Sequence, residues 1–146
     1  MPTVLVPYDD SPMAQRAFEQ ALADYPDAEL RLLHVIDFAE ASYGVPVEGG
    51  TANYFETWEK SVRARVDEWF TEAREAAADH ETFAGSVETQ VETGPPSRTI
   101  VDVAGDIDAD YIVMGSHGRS GASRILLGSV AESVTRRAPC PVLIVR

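Results

Sequence analysis

The 146-residue chain has one cysteine, one lysine and no apolar run of membrane length, and each shortage excludes a class of protein. With Cys140 as the only cysteine there is no internal disulfide framework, which fits a reducing compartment. No histidine or second cysteine lies near it in sequence, so its thiol reads as a small packed hydrophobe and not as a nucleophile. No apolar stretch approaches the roughly 20 residues of a membrane span. The opening Met1-Pro2-Thr3-Val4-Leu5-Val6 also lacks the basic region and small-residue cleavage site of a signal peptide. The expectation is a soluble, cytoplasmic protein that begins with a strand.

Positive charge is scarce as well. Lys60 and eleven arginines stand against 24 acids, for a net charge of −12. That balance argues against broad nucleic-acid binding. It also repels phosphate at long range, so a nucleotide site here must work locally, through backbone donors, a few arginines or a divalent cation. An acidic, lysine-poor composition is what proteins of salt-loaded cytoplasm look like, and a halophilic source is expected.

What is present suffices for one folded domain over residues 1–146. Hydrophobic residues make up 45%, enough for a single core at this length. Thr3 to Pro7 is a compact apolar run, and Asp9-Asp10-Ser11-Pro12 then supplies an N-cap and a proline suited to a first helical turn. Met13, Ala14, Ala17, Phe18, Ala21 and Leu22 recur at helical spacing. Glu29 to Ile36 forms a second strand, and residues 39 to 56, with Gly44, Pro46, Gly49 and Gly50, read as a long loop. A helix is clear from about Thr57, carried by Trp58, Val62, Val66, Trp69, Phe70, Ala73 and Ala77. Ser86 to Glu92 alternates as a half-exposed edge strand, and Ile100, Val103, Ala104 and Ile107 mark another helix. The strand Tyr111 to Met114, a helix from Ser129 to Arg137 and the strand Val142 to Val145 close the chain. Strict alternation of apolar strands and helices predicts an α/β fold: an open five-stranded parallel sheet with helices on both faces and strand order 3-2-1-4-5. Ligands of such sheets bind beyond the strands' carboxyl ends where the order reverses, between strands 1 and 4.

Gly115-Ser116-His117-Gly118 and, nine residues on, Gly128-Ser129-Val130 lie at that place, after one strand and before a helix. Free amides and the helix dipole favour an anion there. Ser129 could cap the helix or offer its hydroxyl to a phosphate, and Arg119 and Arg124 between the glycines tilt the reading toward an anion site. The competing reading is that the glycines only make tight turns. Asp9, at the end of strand 1, could accept from a ribose hydroxyl or help hold a cation through water, whereas helix capping suits Asp10 better. His117 falls within the site, and His34, in an apolar strand, reads as structural. Gly-Lys-Ser/Thr is absent, the glycine spacing is not that of a dinucleotide fold, no histidines are spaced as metal ligands, and no glycine-framed serine forms a nucleophile elbow. No catalytic residue is evident.

Gly115, Gly118, Gly128 and Ser129 fit Gly-x2-Gly-x9-Gly-Ser without a gap. With Val4 to Pro7, Asp9 and Ser11, Leu33 to Ile36, Ala109 to Gly115 and Ala138 to Leu143 in order, the chain resembles the universal stress protein family, specifically its ATP-binding branch. The resemblance is weakest over residues 39 to 85. It implies a fold of the adenine nucleotide alpha hydrolase type, with Pro7, Asp9 and Val35 around adenosine and Met114 and Gly115 against the nucleoside. It further implies His117, Gly118, Arg119, Gly128, Ser129 and Val130 around the phosphates of ATP, ADP or AMP, with Mg²⁺ or Mn²⁺. A homodimer through Val142 to Val145 and a role in stress response follow from the same resemblance. It gives no role to Tyr8 or Asp10. Its alternatives are a slow metal-dependent ATPase and a family member that acts by protein interaction with no nucleotide.

Overall fold

A central apolar strand organises the molecule. In β1 (Thr3–Pro7), Val4, Leu5 and Val6 are wholly buried because the strand has a neighbour on each side and helices on both faces. The computed structural model describes residues 1–42, 51–117 and 127–146, with the backbone alone for residues 41, 42, 51 and 52. After β1 come α1 (Pro12–Asp24), β2 (Glu29–Ile36), α2 (Phe38–Ser42), α3 (Thr51–Asp79), β3 (Ser86–Thr93), α4 (Pro96–Asp106), β4 (Tyr111–Gly115), α5 (Ser129–Arg137) and β5 (Val142–Val145). The sheet is parallel throughout, with order β3-β2-β1-β4-β5, as the alternation predicts.

Two apolar layers hold the helices to this sheet. On one face α1 and α3 bury Phe18, Leu22, Val66 and Phe70 against Val4, Val6, Leu30 and Leu32. On the other, Ile100 and Val103 of α4 and Val134 of α5 pack on Leu5, Leu33 and Ile112. Each such side chain taken from water contributes about 1.5–3 kcal/mol. Cys140 is half-buried at the edge of the second layer, and burial, then the charge of Asp110, raises its thiol above the ordinary value of 9.0. It packs beside the apolar layer, as the sequence suggests, and a raised thiol pKa leaves less of the nucleophilic thiolate.

Residues 39 to 56 are not one loop. The described part of that stretch holds α2, and α3 begins at Thr51 instead of near Thr57. The added order comes from tertiary contact: the Phe38 ring meets Phe55 edge-on at 6.4 Å and Trp58 at 5.6 Å between centroids. An aperiodic sequence does not display such a contact in advance.

Candidate functional site

The order of the sheet reverses at β1, so the carboxyl ends of β1 and β4 diverge to opposite connections and leave a crevice between them. Past β1, Tyr8 is tied twice to β2. Its N–H donates to the Leu33 carbonyl at 2.8 Å, and its own carbonyl lies 2.8 Å from His34 Nδ1. A carbonyl can only accept, so Nδ1 carries the hydrogen. Tyr8's ring turns into the core, edge-on to Phe18, which points the next residue, Asp9, toward the crevice.

Asp9 shapes the turn into α1. Its Oδ1 accepts the Ser11 N–H at 2.9 Å, and Ser11 Oγ accepts the Ala14 N–H at 3.2 Å as the α1 N-cap. The N-cap residue of α1 is therefore Ser11, supported by Asp9.

Past β4, the buried Ser116 anchors the second half. Its carbonyl accepts the Gly128 N–H at 2.8 Å, and its Oγ lies 3.1 Å from Met13 Sδ and 3.2 Å from His117 Nδ1. A Cβ on Gly128 would stand 2.8 Å from the Ser116 oxygen, and one on Gly115 2.9 Å from Met13 Cβ. Close packing within the chain thus demands both glycines, whatever else they allow. Gly128 is the N-cap of α5, and among the described residues no side-chain capping bond is made there. Ser129 is its first helical residue and not the cap, which corrects one of the two sequence-based roles for its hydroxyl. Gly128, Ser129 and Val130 at the amino end of α5 line the crevice, and a helix's first-turn amides and the positive end of its dipole lie at that end.

These segments surround a cavity of about 670 Å³, a size suited to a small organic ligand. Pro7 reaches it from β1 and Asp9 from just past it, Val35 from β2, Met114 and Gly115 from β4 and His117 from just past it, and the cap Gly128 with Ser129 and Val130 from the amino end of α5. Gly118, Arg119 and Arg124 lie outside the described residues. His34, expected to be only structural, lines the same cavity, its ring edge-on to Trp69 at 5.4 Å. Trp58, Arg65 and Trp69 of α3 line it too and were missed. Their spacing with Val62 along one helical face was a usable signal, but which strand end that face meets depends on the sheet order. Among the described residues no three His, Cys, Asp or Glu side chains cluster to hold a metal. No helix among them is long and apolar enough to cross a membrane.

A sequence profile of the universal stress protein family matches residues 1–146. The chain belongs to the universal stress protein family. Among universal stress proteins it is 34% identical to one from Methanocaldococcus jannaschii over 98% of this chain and 81% of that one. The structure of the universal stress protein UspA from Lactobacillus plantarum superposes with a TM-score of 0.84 at 26% identity, covering 99% of this chain and 97% of that one. A further universal stress protein, solved in complex with cAMP, gives a TM-score of 0.66 at 26% identity over 99% of this chain and 96% of that one. The five-stranded parallel sheet and its order are thus those of the family fold.

Proposed function

We propose that this universal stress protein binds an adenine nucleotide in the crevice between β1 and β4 and acts as a sensor or regulator in a stress response. The observation that carries the reading is the amino end of α5, capped by Gly128, held beside Ser116 and His117 and lining one cavity with Asp9. Backbone donors concentrated there suit phosphate in a chain whose net charge of −12 would otherwise repel it. The cAMP complex of a similar structure supports an adenine nucleotide as the class of ligand.

Within that class we take ATP, with ADP and AMP as shorter forms. Pro7, Asp9 and Val35 would face the adenosine, Met114 and Gly115 the nucleoside, and His117, Gly118, Arg119, Gly128, Ser129 and Val130 the phosphates. Asp9, Asp37 and Glu40 line this cavity, but among the described residues no three such side chains cluster, and Asp9 spends one of its oxygens on the Ser11 N–H. They do not make a metal site alone. Mg²⁺ or Mn²⁺ would enter as a metal–nucleotide complex, with Asp9 as a partner through water. No catalytic role is assigned to any residue.

The assembly we propose is a homodimer through β5. This strand is at the sheet's edge and exposes Leu143 to 38%. Pro141 and Val145 carbonyls accept from β4, so the alternate residues Val142 and Ile144 direct their backbone groups outward for pairing. The acidic composition supports a protein adapted to a salt-rich cytoplasm. Calorimetric titration with ATP, ADP and AMP, with and without Mg²⁺ in high salt, tests the nucleotide reading. Sedimentation tests the dimer.

A further inference from the structure

The cavity has a second pole, which the nucleotide reading leaves without a role. Both tryptophans of the chain, Trp58 and Trp69, line it from α3, with Arg65 between them on the same helical face. Each indole is held by another aromatic ring: Trp58 against Phe38 at 5.6 Å, and Trp69 edge-on to His34 at 5.4 Å. Arg65 is exposed and makes no ion pair among the described residues, although Asp37 and Glu40 line the same cavity and acids outnumber bases two to one in the chain. Other arginines of the surface, such as Arg63 and Arg136, do find an i,i+4 carboxylate.

A ligand that places its phosphate at the amino end of α5 extends its other end across the crevice toward α3. Two flat indoles and one planar cationic donor wait there, on a cavity that Asp37 and Glu40 also line. Indole rings stack on any heterocyclic base, and a guanidinium presents a fork of N–H groups to acceptors on a purine edge. We propose that Trp58, Arg65 and Trp69 form the base-recognition wall of the cavity, with Arg65 donating to a purine base whose phosphate lies at α5. The inference rests on the nucleotide reading and adds a specificity-determining residue to it.

The experiment combines calorimetry with intrinsic tryptophan emission, which reports on this wall because the chain has no other tryptophan. Adenosine, AMP, ATP and inorganic tripolyphosphate are titrated into the full chain and into Arg65→Gln and Arg65→Lys, each checked for folding by thermal unfolding. Adenosine and AMP are expected to change the emission, and tripolyphosphate to leave it unchanged. Arg65→Gln should weaken adenosine, AMP and ATP by a similar factor, about tenfold, with no rescue by lysine. Binding of AMP that leaves both the emission and the effect of Arg65→Gln flat overturns the wall while preserving the nucleotide site. A loss that grows with phosphate number places Arg65 at the phosphates and also overturns it. No binding of any of the four ligands overturns both readings.

Discussion

The carbonyl oxygen of Tyr8 lies 2.8 Å from Nδ1 of His34, and this bond joins the end of β1 to the end of β2 at the floor of the cavity. Together with the Tyr8 N–H on the Leu33 carbonyl, it continues the parallel pairing of the two strands beyond Pro7. The chain then turns at Asp9 with its direction already set. A site that must hold a ligand without reorganising benefits from such fixed edges.

The same residue gives stability an alkaline limit. Burial, then the charges of Glu72, Asp9, Glu19 and Asp10, raises the Tyr8 phenol above its ordinary 10.0. The folded state therefore holds that proton more tightly than the unfolded chain. The stabilisation is complete below pH 10.0 and is lost as pH rises through the folded value. Urea denaturation between pH 9 and pH 12 should show falling stability (about these limits, set by the tyrosine pKa). Tyr8→Phe should flatten the fall in part, since burial also raises Tyr25.

Ser129 separates capping from ligand binding. Gly128 is the cap of α5, so the Ser129 hydroxyl carries no capping bond and the side chain is exposed. Ser129→Ala should leave stability within about 0.5 kcal/mol. It should weaken ATP by about tenfold while sparing adenosine, as calorimetry would show. A large loss of thermal stability would instead make the hydroxyl structural.

Gly128→Val should abolish nucleotide binding. Its Cβ would stand 2.8 Å from a backbone oxygen, and the α5 amino end would have to move away from Ser116. Circular dichroism should still show a folded α/β protein, because the clash lies at the rim and not within either apolar layer.

The edge strand gives a further test. Leu143→Lys places a charge on an exposed position of β5, a device that blocks edge pairing. Sedimentation should shift from dimer to monomer with the monomer still folded. A dimer that persists unchanged would put the interface elsewhere.

With 24 acids against 12 bases, self-repulsion should weaken the folded state in dilute buffer and be screened in concentrated salt. The melting temperature is expected to rise from low to molar salt. A flat response would count against adaptation to a salt-rich interior.

Much of the fold was legible because its strands are short apolar runs with clear breaks. Val4 to Val6 are buried on both faces and have no polar alternation to confuse them with an edge strand, while Val87 and Val91 alternate and form one. Asp9, Gly115 and Gly128 were legible because local rules flag them: a carboxylate before a helix, and glycines around a strand-to-helix passage. The α3 side was not. Arg65 and Trp69 reach the cavity because α3 packs beside β2, and His34 does so because β2 neighbours β1; sequence periodicity gives the face but not its neighbour. The two glycines also carry a packing duty toward Met13 and Ser116 that no motif reveals.

The central claim is that an adenine nucleotide occupies the crevice between β1 and β4, and calorimetric titration of the purified chain with ATP, ADP and AMP in high salt tests it most directly. Saturable binding of one nucleotide per chain, lost in Gly128→Val, is the predicted result. A folded protein that takes up none of the three, and releases no adenine nucleotide when denatured, would contradict it.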